Sequence, residues 1–156
     1  MEKLYYGYYE SPIGNLRIVV EENSLVALDF MEDEKKQSDE HVYINEVKKQ
    51  LDEYFKGKRK LFDLKIKING TDFQSKVWNE LIKIPYGETI SYKELATRIR
   101  NDKACRAVGN ANNKNKISIV IPCHRVVGSN QKLVGYAGGI EKKKWLINHE
   151  KEVTND

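Results

Sequence analysis

The residues best suited to chemistry lie in one run, Pro122-Cys123-His124-Arg125. Cysteine reacts as its thiolate, and a hydrogen-bonded imidazole or a nearby positive charge lowers the thiol pKa. A thiol beside a base is the arrangement of nucleophilic catalysis, with a third group orienting the base. Pro122 fixes its own φ and lacks an N–H donor, so the chain is pinned where it leaves the apolar run Ile117-Ser118-Ile119-Val120-Ile121, read as a buried extended segment. The competing reading is a structural cysteine, since free cysteine is among the most buried residue types. A metal site is the poorer alternative. Adjacent Cys and His do not readily ligate one ion, and Cys105, His41 and His149 are the only further Cys and His. No metal is assigned.

The elements that must position this run follow from periodicity. Tyr5–Tyr9, Leu16–Val20 and Leu25–Phe30 read as strands, with turns at 11–15 and 21–24. Residues 31–40 are polar and read as a loop. Ile44, Val47, Leu51 and Tyr54/Phe55 recur at helical spacing up to Gly57, and Phe62, Leu64, Ile66 and Ile68 alternate as in a half-buried strand. Beyond Asn69-Gly70 the pattern turns helical. Thr71-Asp72-Phe73-Gln74 and Ser91-Tyr92-Lys93-Glu94 fit capping boxes. The first helix places Phe73, Val77, Leu81 and Ile84 on one face and stops at Pro85-Tyr86-Gly87. The second carries Leu95, Ala96 and Ile99. Arg100-Asn101-Asp102 is a tight connection in which Asn101 suits a left-handed backbone and Asp102 can cap the next helix. That helix, about 103–114, is lined by Ala104, Ala107, Val108 and Ala111. Two short helices joined in this way resemble a helix-turn-helix.

The chain has 156 residues, 40% hydrophobic and 32% charged, enough apolar material for a packed core and too much for a disordered chain. Two cysteines exclude a disulfide-rich scaffold and a four-cysteine zinc site. The start has no apolar run of signal-peptide length and no stretch approaches a membrane span, so a cytoplasmic protein without membrane partners is expected. Charge is uneven: residues 1–70 carry a net −2 and residues 71–156 a net +6. Within 98–125, Arg98, Arg100, Lys103, Arg106, Lys114, Lys116 and Arg125 face a single Asp102. Such a stripe suits a polyanionic partner, and equally a solvated helix face.

Residues 73–150 resemble the O6-alkylguanine-DNA alkyltransferase family. The likeness runs through Phe73-Gln74, Val77-Trp78, Ile84-Pro85-Tyr86-Gly87-Glu88-Thr89 and Ser91-Tyr92-Lys93-Glu94-Leu95-Ala96. It continues through Arg106-Ala107-Val108-Gly109, Asn115, Ile121-Pro122-Cys123-His124-Arg125-Val126, Gly135-Tyr136-Ala137-Gly138-Gly139 and His149-Glu150. The resemblance implies an α+β protein: a small N-terminal α/β, ribonuclease H-like domain (1–70), then a winged-helix-like helix-turn-helix domain (71–156) bearing the reactive cysteine. It implies irreversible, stoichiometric transfer of the O6-alkyl group of guanine in double-stranded DNA to Cys123, by a monomer that needs no cofactor; O4-methylthymine stays open as a second substrate.

The resemblance also implies roles. Cys123 is the acceptor, His124 its base through a bridging water, and Glu150 orients His124. Tyr92 donates toward the guanine. Arg106 enters the duplex in place of the flipped base, and Ala107, Gly109, Asn115 and Arg125 belong to the DNA-binding and hinge region. Val126, Tyr136 and Ala137 line the guanine pocket. A stacked base must be extruded at a cost of a few kcal/mol before a thiol can reach it, and a soft thiolate suits a soft methyl carbon. The chain departs from the family pattern at Arg100-Asn101-Asp102, Lys116, Ala137, which lacks a common hydroxyl, and Cys105. The alternatives are a non-catalytic alkylguanine-binding repair protein, against which Cys123 speaks, and a helix-turn-helix regulator with a fortuitous cysteine.

Overall fold

The computed structural model describes residues 3–32 and 36–155. The chain is α+β and forms two compact units that divide between Ile68 and Asn69.

In the first unit, β1 (Leu4–Ser11), β2 (Gly14–Glu21) and β3 (Ser24–Met31) form an antiparallel sheet in sequence order. Each strand runs further into its turn than the turn residues suggest, leaving Pro12-Ile13 and Glu22-Asn23 as two-residue links. Leu16, Ile18, Val20, Leu25 and Leu28 are wholly buried, as are Ile44, Val47 and Leu51 of α1 (Val42–Phe55). The helix comes so close that a Cβ on Gly7 of β1 would lie 2.4 Å from Ile44 Cγ2, which only glycine avoids. The outer edge of β1 is capped by side chains: Tyr6 N–H donates to Asp39 at 2.8 Å and Tyr8 N–H to Ser38 at 2.9 Å. Of the loop expected over 31–40, Met31 closes β3, 36–40 is irregular, and 33–35 lies outside the described residues.

The strand expected over 62–68 is not a regular one. Its alternation holds, with Phe62, Leu64, Ile66 and Ile68 half-buried between exposed neighbours. Its ladder is the single parallel bridge Leu25–Ile66, through Leu25 N–H to Lys65 O at 2.8 Å and Lys67 N–H to Leu25 O at 2.9 Å. Gln50, buried on α1, engages both the N–H and the C=O of Asp63. A helix side chain thus replaces the next rung.

The second unit contains α2 (Asp72–Ile82), β4 (Ile90–Ser91), α3 (Tyr92–Arg98), α4 (Cys105–Asn113), β5 (Val126–Val127) and α5 (Ile140–Asn155). Thr71 and Gln74 form a reciprocal capping box at α2. At α3, Ser91 accepts from Glu94 N–H at 3.0 Å, while the Glu94 carboxylate turns to Arg98 at 3.5 Å. The turn between α3 and α4 differs from the expectation. Arg100, not Asn101, takes positive φ, 61°. Arg100 N–H bonds Thr97 O and Asn101 N–H bonds Ala96 O, both at 2.9 Å. That is the Schellman pattern, which places the left-handed residue just past the C-cap Ile99 whatever its type. Asp102 caps nothing: Ala104 is the N-cap of α4, with no side-chain bond. On α4, Val108, Ala111 and Asn112 are buried and Ala107 is exposed, so Ala107 belongs to the outer face rather than the packed one.

Residues 117–121 are buried apart from half-buried Val120, and they are not extended. Ile119 has φ 71°, and the segment turns back on itself with Ile121 N–H on Ile117 O at 3.0 Å. A buried segment outside a sheet must satisfy its backbone some other way. Asn115 does this, accepting from Ile117 N–H at 3.0 Å and donating to Ile121 O at 2.8 Å and Ile117 O at 3.3 Å. The chain then joins the short parallel pair β4–β5, Ile90 opposite Val126 and Ser91 opposite Val127.

Trp78 fixes α4 on α2. Its ring is 1% exposed, and its Nε1–H donates to Ala111 O at 2.8 Å. Trp78→Phe removes one of the two donors on that carbonyl, which keeps Lys114 N–H at 3.2 Å, and the lost hydrogen bond costs about 1 kcal/mol. Urea unfolding followed by circular dichroism is expected to show that loss, with the slope against urea unchanged.

Candidate active site

Cys123, His124 and Arg125 form one short 3-10 turn, and all three are buried. The thiol residue is 5% exposed. Its carbonyl accepts from Asn112 Nδ2–H at 3.3 Å, and the Asn115 side chain is near enough to act on its thiol. Asn115 therefore serves both the preceding turn and the nucleophile, and links them to the end of α4.

The polar centre of the site is the Glu150 carboxylate on α5. Its Oε2 lies 2.6 Å from His124 Nε2 and accepts from Arg125 Nη2–H at 3.1 Å. Its Oε1 accepts from Arg125 Nε–H at 2.8 Å and from Gly87 N–H at 3.2 Å. Arg125 also donates from Nη1 to Ile84 O at 2.6 Å, just beyond α2. Gly87 is needed where it stands. Its φ is +82°, and a Cβ there would meet Thr154 Oγ1 on α5 at 2.4 Å. The Pro85-Tyr86-Gly87 turn thus lies directly against α5, where its N–H can reach the carboxylate.

Burial by itself raises the Glu150 carboxyl, but His124 and Arg125 outweigh it and hold the group well below the usual carboxylate range. Of the two, Arg125 is the one charged at neutral pH. Burial pushes His124 down, further than Glu150 pulls it up, so the imidazole rests neutral. With the carboxylate ionised, Nε2 carries the proton toward Glu150 and Nδ1 keeps a lone pair. Nδ1 is buried and has no hydrogen-bond partner among the described residues. Burial also raises the Cys123 thiol; Asn115 and the charge of Lys143 only partly oppose it. Positive charge adjacent in sequence was expected to lower the thiol. That expectation fails because Arg125 spends its charge on Glu150. The resting residue is a thiol, and it needs a base.

An open groove of about 430 Å³ lies between α4 and the 134–135 segment, lined by Tyr92, Cys105, Arg106, Gly109, Asn110 and Asn113 together with Val134 and Gly135. Arg106 and Ala107 are exposed, and Gly109 faces Tyr92, whose ring would lie 3.8 Å from an added Cβ, an ordinary packing contact. Tyr92 donates its hydroxyl to Val134 O at 3.0 Å. Both burial and the nearby Cys123 raise its pKa, so groove and nucleophile are neighbours. Tyr136 is 9% exposed, and Ala137 is exposed. Val126 is wholly buried within β5, so it can offer a ligand only backbone groups.

The basic stripe divides. Arg98, Arg100, Lys103, Arg106, Lys114 and Lys116 are exposed, whereas Arg125 is buried with its guanidinium committed to Glu150 and Ile84 O. Arg125 is therefore not a surface contact for DNA; it is an internal strut. Reading by motif also passed over Asn112 and Lys143. Asn112 shares the face of Val108 and Ala111, and Lys143 the face of Leu146, Ile147 and Glu150, so helical periodicity marks both as inward polar residues. Among the described residues, no group of three or more His, Cys, Asp or Glu is placed to hold a metal ion, and no helix is long and apolar enough to cross a membrane.

A buried cysteine adjoining a His124–Glu150 pair, in a unit that carries a basic helix pair, defines a thiol-bearing site on a nucleic-acid-binding scaffold. Residues 72–152 match the family model described as 6-O-methylguanine DNA methyltransferase, DNA binding domain, and residues 4–68 match that of its ribonuclease-like domain. The chain belongs to the 6-O-methylguanine DNA methyltransferase family. It is 46% identical to a methylated-DNA–protein-cysteine methyltransferase of Methanosarcina acetivorans, over 94% of this chain and 98% of that one. It is 44% identical to a constitutive Bacillus subtilis protein of the same name, over 94% and 95% of the two chains. The crystal structure of Mycobacterium tuberculosis OGT in complex with DNA superposes with a TM-score of 0.88 at 41% identity, covering 95% of this chain and 93% of that one.

The Glu150 hub makes stability depend on acid. A carboxylate whose pKa is depressed on folding stabilises the protein above its unfolded pKa, about 4.3, and loses that contribution as pH falls toward the folded value. Glu150→Gln leaves Arg125 buried without its counter-charge, a loss of about 3–5 kcal/mol at neutral pH. Urea unfolding from neutral pH to pH ~3 is expected to show the gap between wild type and variant narrowing below pH ~4. A constant gap would mean that Glu150 acts by packing and not by charge.

Proposed function

We propose that this protein repairs DNA by moving the O6-alkyl group of guanine from duplex DNA onto its own Cys123, once per chain. The observation that carries the reading is the buried Cys123 next in sequence to a neutral His124, whose Nδ1 is unpartnered among the described residues and whose Nε2 meets an ionised Glu150, in a unit with a groove edged by exposed arginine on α4. Family membership and the DNA complex of the M. tuberculosis relative support duplex DNA as the partner. The expected compartment is the cytoplasm, with the DNA.

The steps follow from the residues. His124 Nδ1 takes the proton of the Cys123 thiol, directly or through a water, and Glu150 stabilises the imidazolium that forms. The thiolate attacks the alkyl carbon, the carbon–O6 bond breaks, and its electron pair stays on the guanine. Tyr92, at the groove wall, donates to the purine as charge develops on it. The product thioether offers no leaving group good enough for reversal, so turnover stops at one. A buried, protonated thiol suits such a protein: it is shielded from adventitious electrophiles until a base is seated beside the relay.

Arg106 is exposed beside the groove on α4, where an inserted side chain can take the place of an extruded base. Ala107 and Gly109 keep the adjoining surface low. The exposed lysines and remaining arginines act through phosphate contacts and counterion release. Asn115 holds the active-site turn.

Two measurements test the reading. Intact and peptide mass after mixing with duplex O6-methylguanine is expected to show one methyl group per chain, on Cys123, and none on Cys123→Ala. Transfer to Cys105 would sink the assignment. Arg106→Ala is expected to slow repair of duplex O6-methylguanine by roughly 100-fold or more, an unstacking cost of a few kcal/mol no longer offset. It should leave reaction with free O6-benzylguanine unchanged, since no base is flipped. Equal losses on both substrates would assign Arg106 to the fold or the pocket instead.

A further inference from the structure

Arg100 follows α3 in a conformation that arginine fits badly. It stands just past the C-cap Ile99, with φ 61°. Its N–H bonds Thr97 O at 2.9 Å, Asn101 N–H bonds Ala96 O at 2.9 Å, and Ala104 N–H bonds Asn101 O at 3.0 Å. The helix end therefore fixes a left-handed backbone, but it does not fix the residue type. Glycine takes this conformation freely, whereas a Cβ crowds the following carbonyl oxygen. The chain keeps a Cβ here against the local preference, so the side chain beyond it needs an account.

Among the described residues nothing supplies one. The Arg100 side chain is exposed and makes no hydrogen bond or ion pair among them. Arg98 does, to Glu94 at 3.5 Å. The acids of α3, α4 and the turn between them are Glu94, which turns to Arg98, and the exposed Asp102. Arg106 lies six residues beyond Arg100, in the first turn of α4, with exposed Lys103 between them. Three exposed cations thus share one corner of the helix pair with a single acid.

An anion from outside the protein gives the side chain its use. A guanidinium offers five donors in a rigid fork that matches a phosphate. In the reading above Arg106 enters the duplex. The anions within reach of the same corner are then the backbone phosphates beside the extruded nucleotide. Phosphate contacts position a protein on the duplex and carry no sequence information. That suits a protein whose lesion can lie in any sequence. The backbone of Arg100 is already held by the turn, so the contact has only side-chain freedom to restrict.

We propose that Arg100 binds a backbone phosphate next to the lesion, and that the turn carries this strained, left-handed arginine at the expense of stability. The inference rests on the alkyl-transfer reading above and singles out one cation of the basic stripe.

Three variants separate charge from strain. Arg100→Lys keeps both the charge and the Cβ, Arg100→Ala keeps only the Cβ, and Arg100→Gly removes both. Binding to undamaged duplex and to O6-methylguanine duplex is followed by fluorescence anisotropy between about 50 and 200 mM salt. Arg100→Ala and Arg100→Gly should each weaken binding roughly 10-fold at low salt, equally on both duplexes, and reduce the slope of log K against log salt by about 1. Arg100→Lys should keep the wild-type slope. In thermal melts of the free protein, Arg100→Gly should lie about 2–4 °C above Arg100→Ala, with Arg100→Lys at the wild-type value. Methyl transfer to wild-type Cys123, read by mass, is a separate arm: its absence would overturn the alkyl-transfer reading, and the binding comparison would still decide Arg100. A wild-type salt slope in the Ala and Gly variants, or a loss confined to the O6-methylguanine duplex, would rule out the phosphate contact. Equal melting of the Gly and Ala variants would remove the strain from the argument and with it the proposal.

Discussion

A carboxylate that is 1% exposed must find enough donors to replace water, and the second unit is arranged around that requirement. Glu150 collects His124, both arms of Arg125 and the N–H of Gly87. Each partner ties a different piece of chain to α5. Arg125 brings the active-site turn and, through Ile84 O, the segment that follows α2. Gly87 brings the turn that leads into β4. His124 brings the nucleophile. A hydrogen-bonding demand at one buried atom pair thus sets the mutual placement of elements 25–63 residues away in sequence. The same demand sets the chemistry. Because the carboxylate stays ionised, the imidazole is held in the tautomer that leaves Nδ1 basic.

Burial of the nucleophile is the second constraint. In an apolar setting the thiol rests protonated, and the segment before it has no sheet to satisfy its backbone. Asn115 bears on both with one amide: it bonds the backbone of the 117–121 turn and opposes the rise of the thiol pKa. Two arginines show the same logic from opposite sides. Arg125, next to the nucleophile in sequence, is consumed by Glu150 and contributes rigidity. Arg106, seventeen positions before Cys123 in sequence, is exposed and able to meet a ligand. Adjacency in sequence gave the wrong partner for the first, because a side chain two positions from a thiol in a 3-10 turn can point away from it.

The parts of the fold that were legible in the sequence are those set by local rules: the three strands of the first unit, α1, the Thr71–Gln74 box and the paired helices. What was not legible depends on long-range satisfaction of polar groups. The 62–68 segment has the alternation of a strand, but Gln50 takes the backbone groups of Asp63 that a neighbouring strand would have used. The left-handed residue between α3 and α4 is Arg100, because the helix end dictates the position and residue preference does not override it. The 117–121 run is as apolar as a strand, yet it turns at Ile119, which no β-branched preference suggests. At the site, the Cys–His pair and the polar end of α5 stood out by type. Lys143 was hidden in the run Lys142-Lys143-Lys144, where composition says surface and only the helical phase says core.

That phase carries the remaining argument. Lys143 and Glu150 lie seven residues apart on α5, two turns or about 10.5 Å along the axis. Leu146 and Ile147 are buried between them. One face of one helix therefore presents an ammonium at one level and a carboxylate at the other, separated by apolar contacts that keep them from neutralising each other. The carboxylate holds the His124 imidazole, and the ammonium holds the Tyr92 hydroxyl with the Val134 and Gly135 carbonyls. Setting both from a single rigid helix fixes their spacing without relying on the loops that carry Cys123 and Val134. α5 lies outside the helix pair and carries none of the exposed basic side chains of the 98–116 stripe, yet it holds the two charged groups on which the order of the site depends.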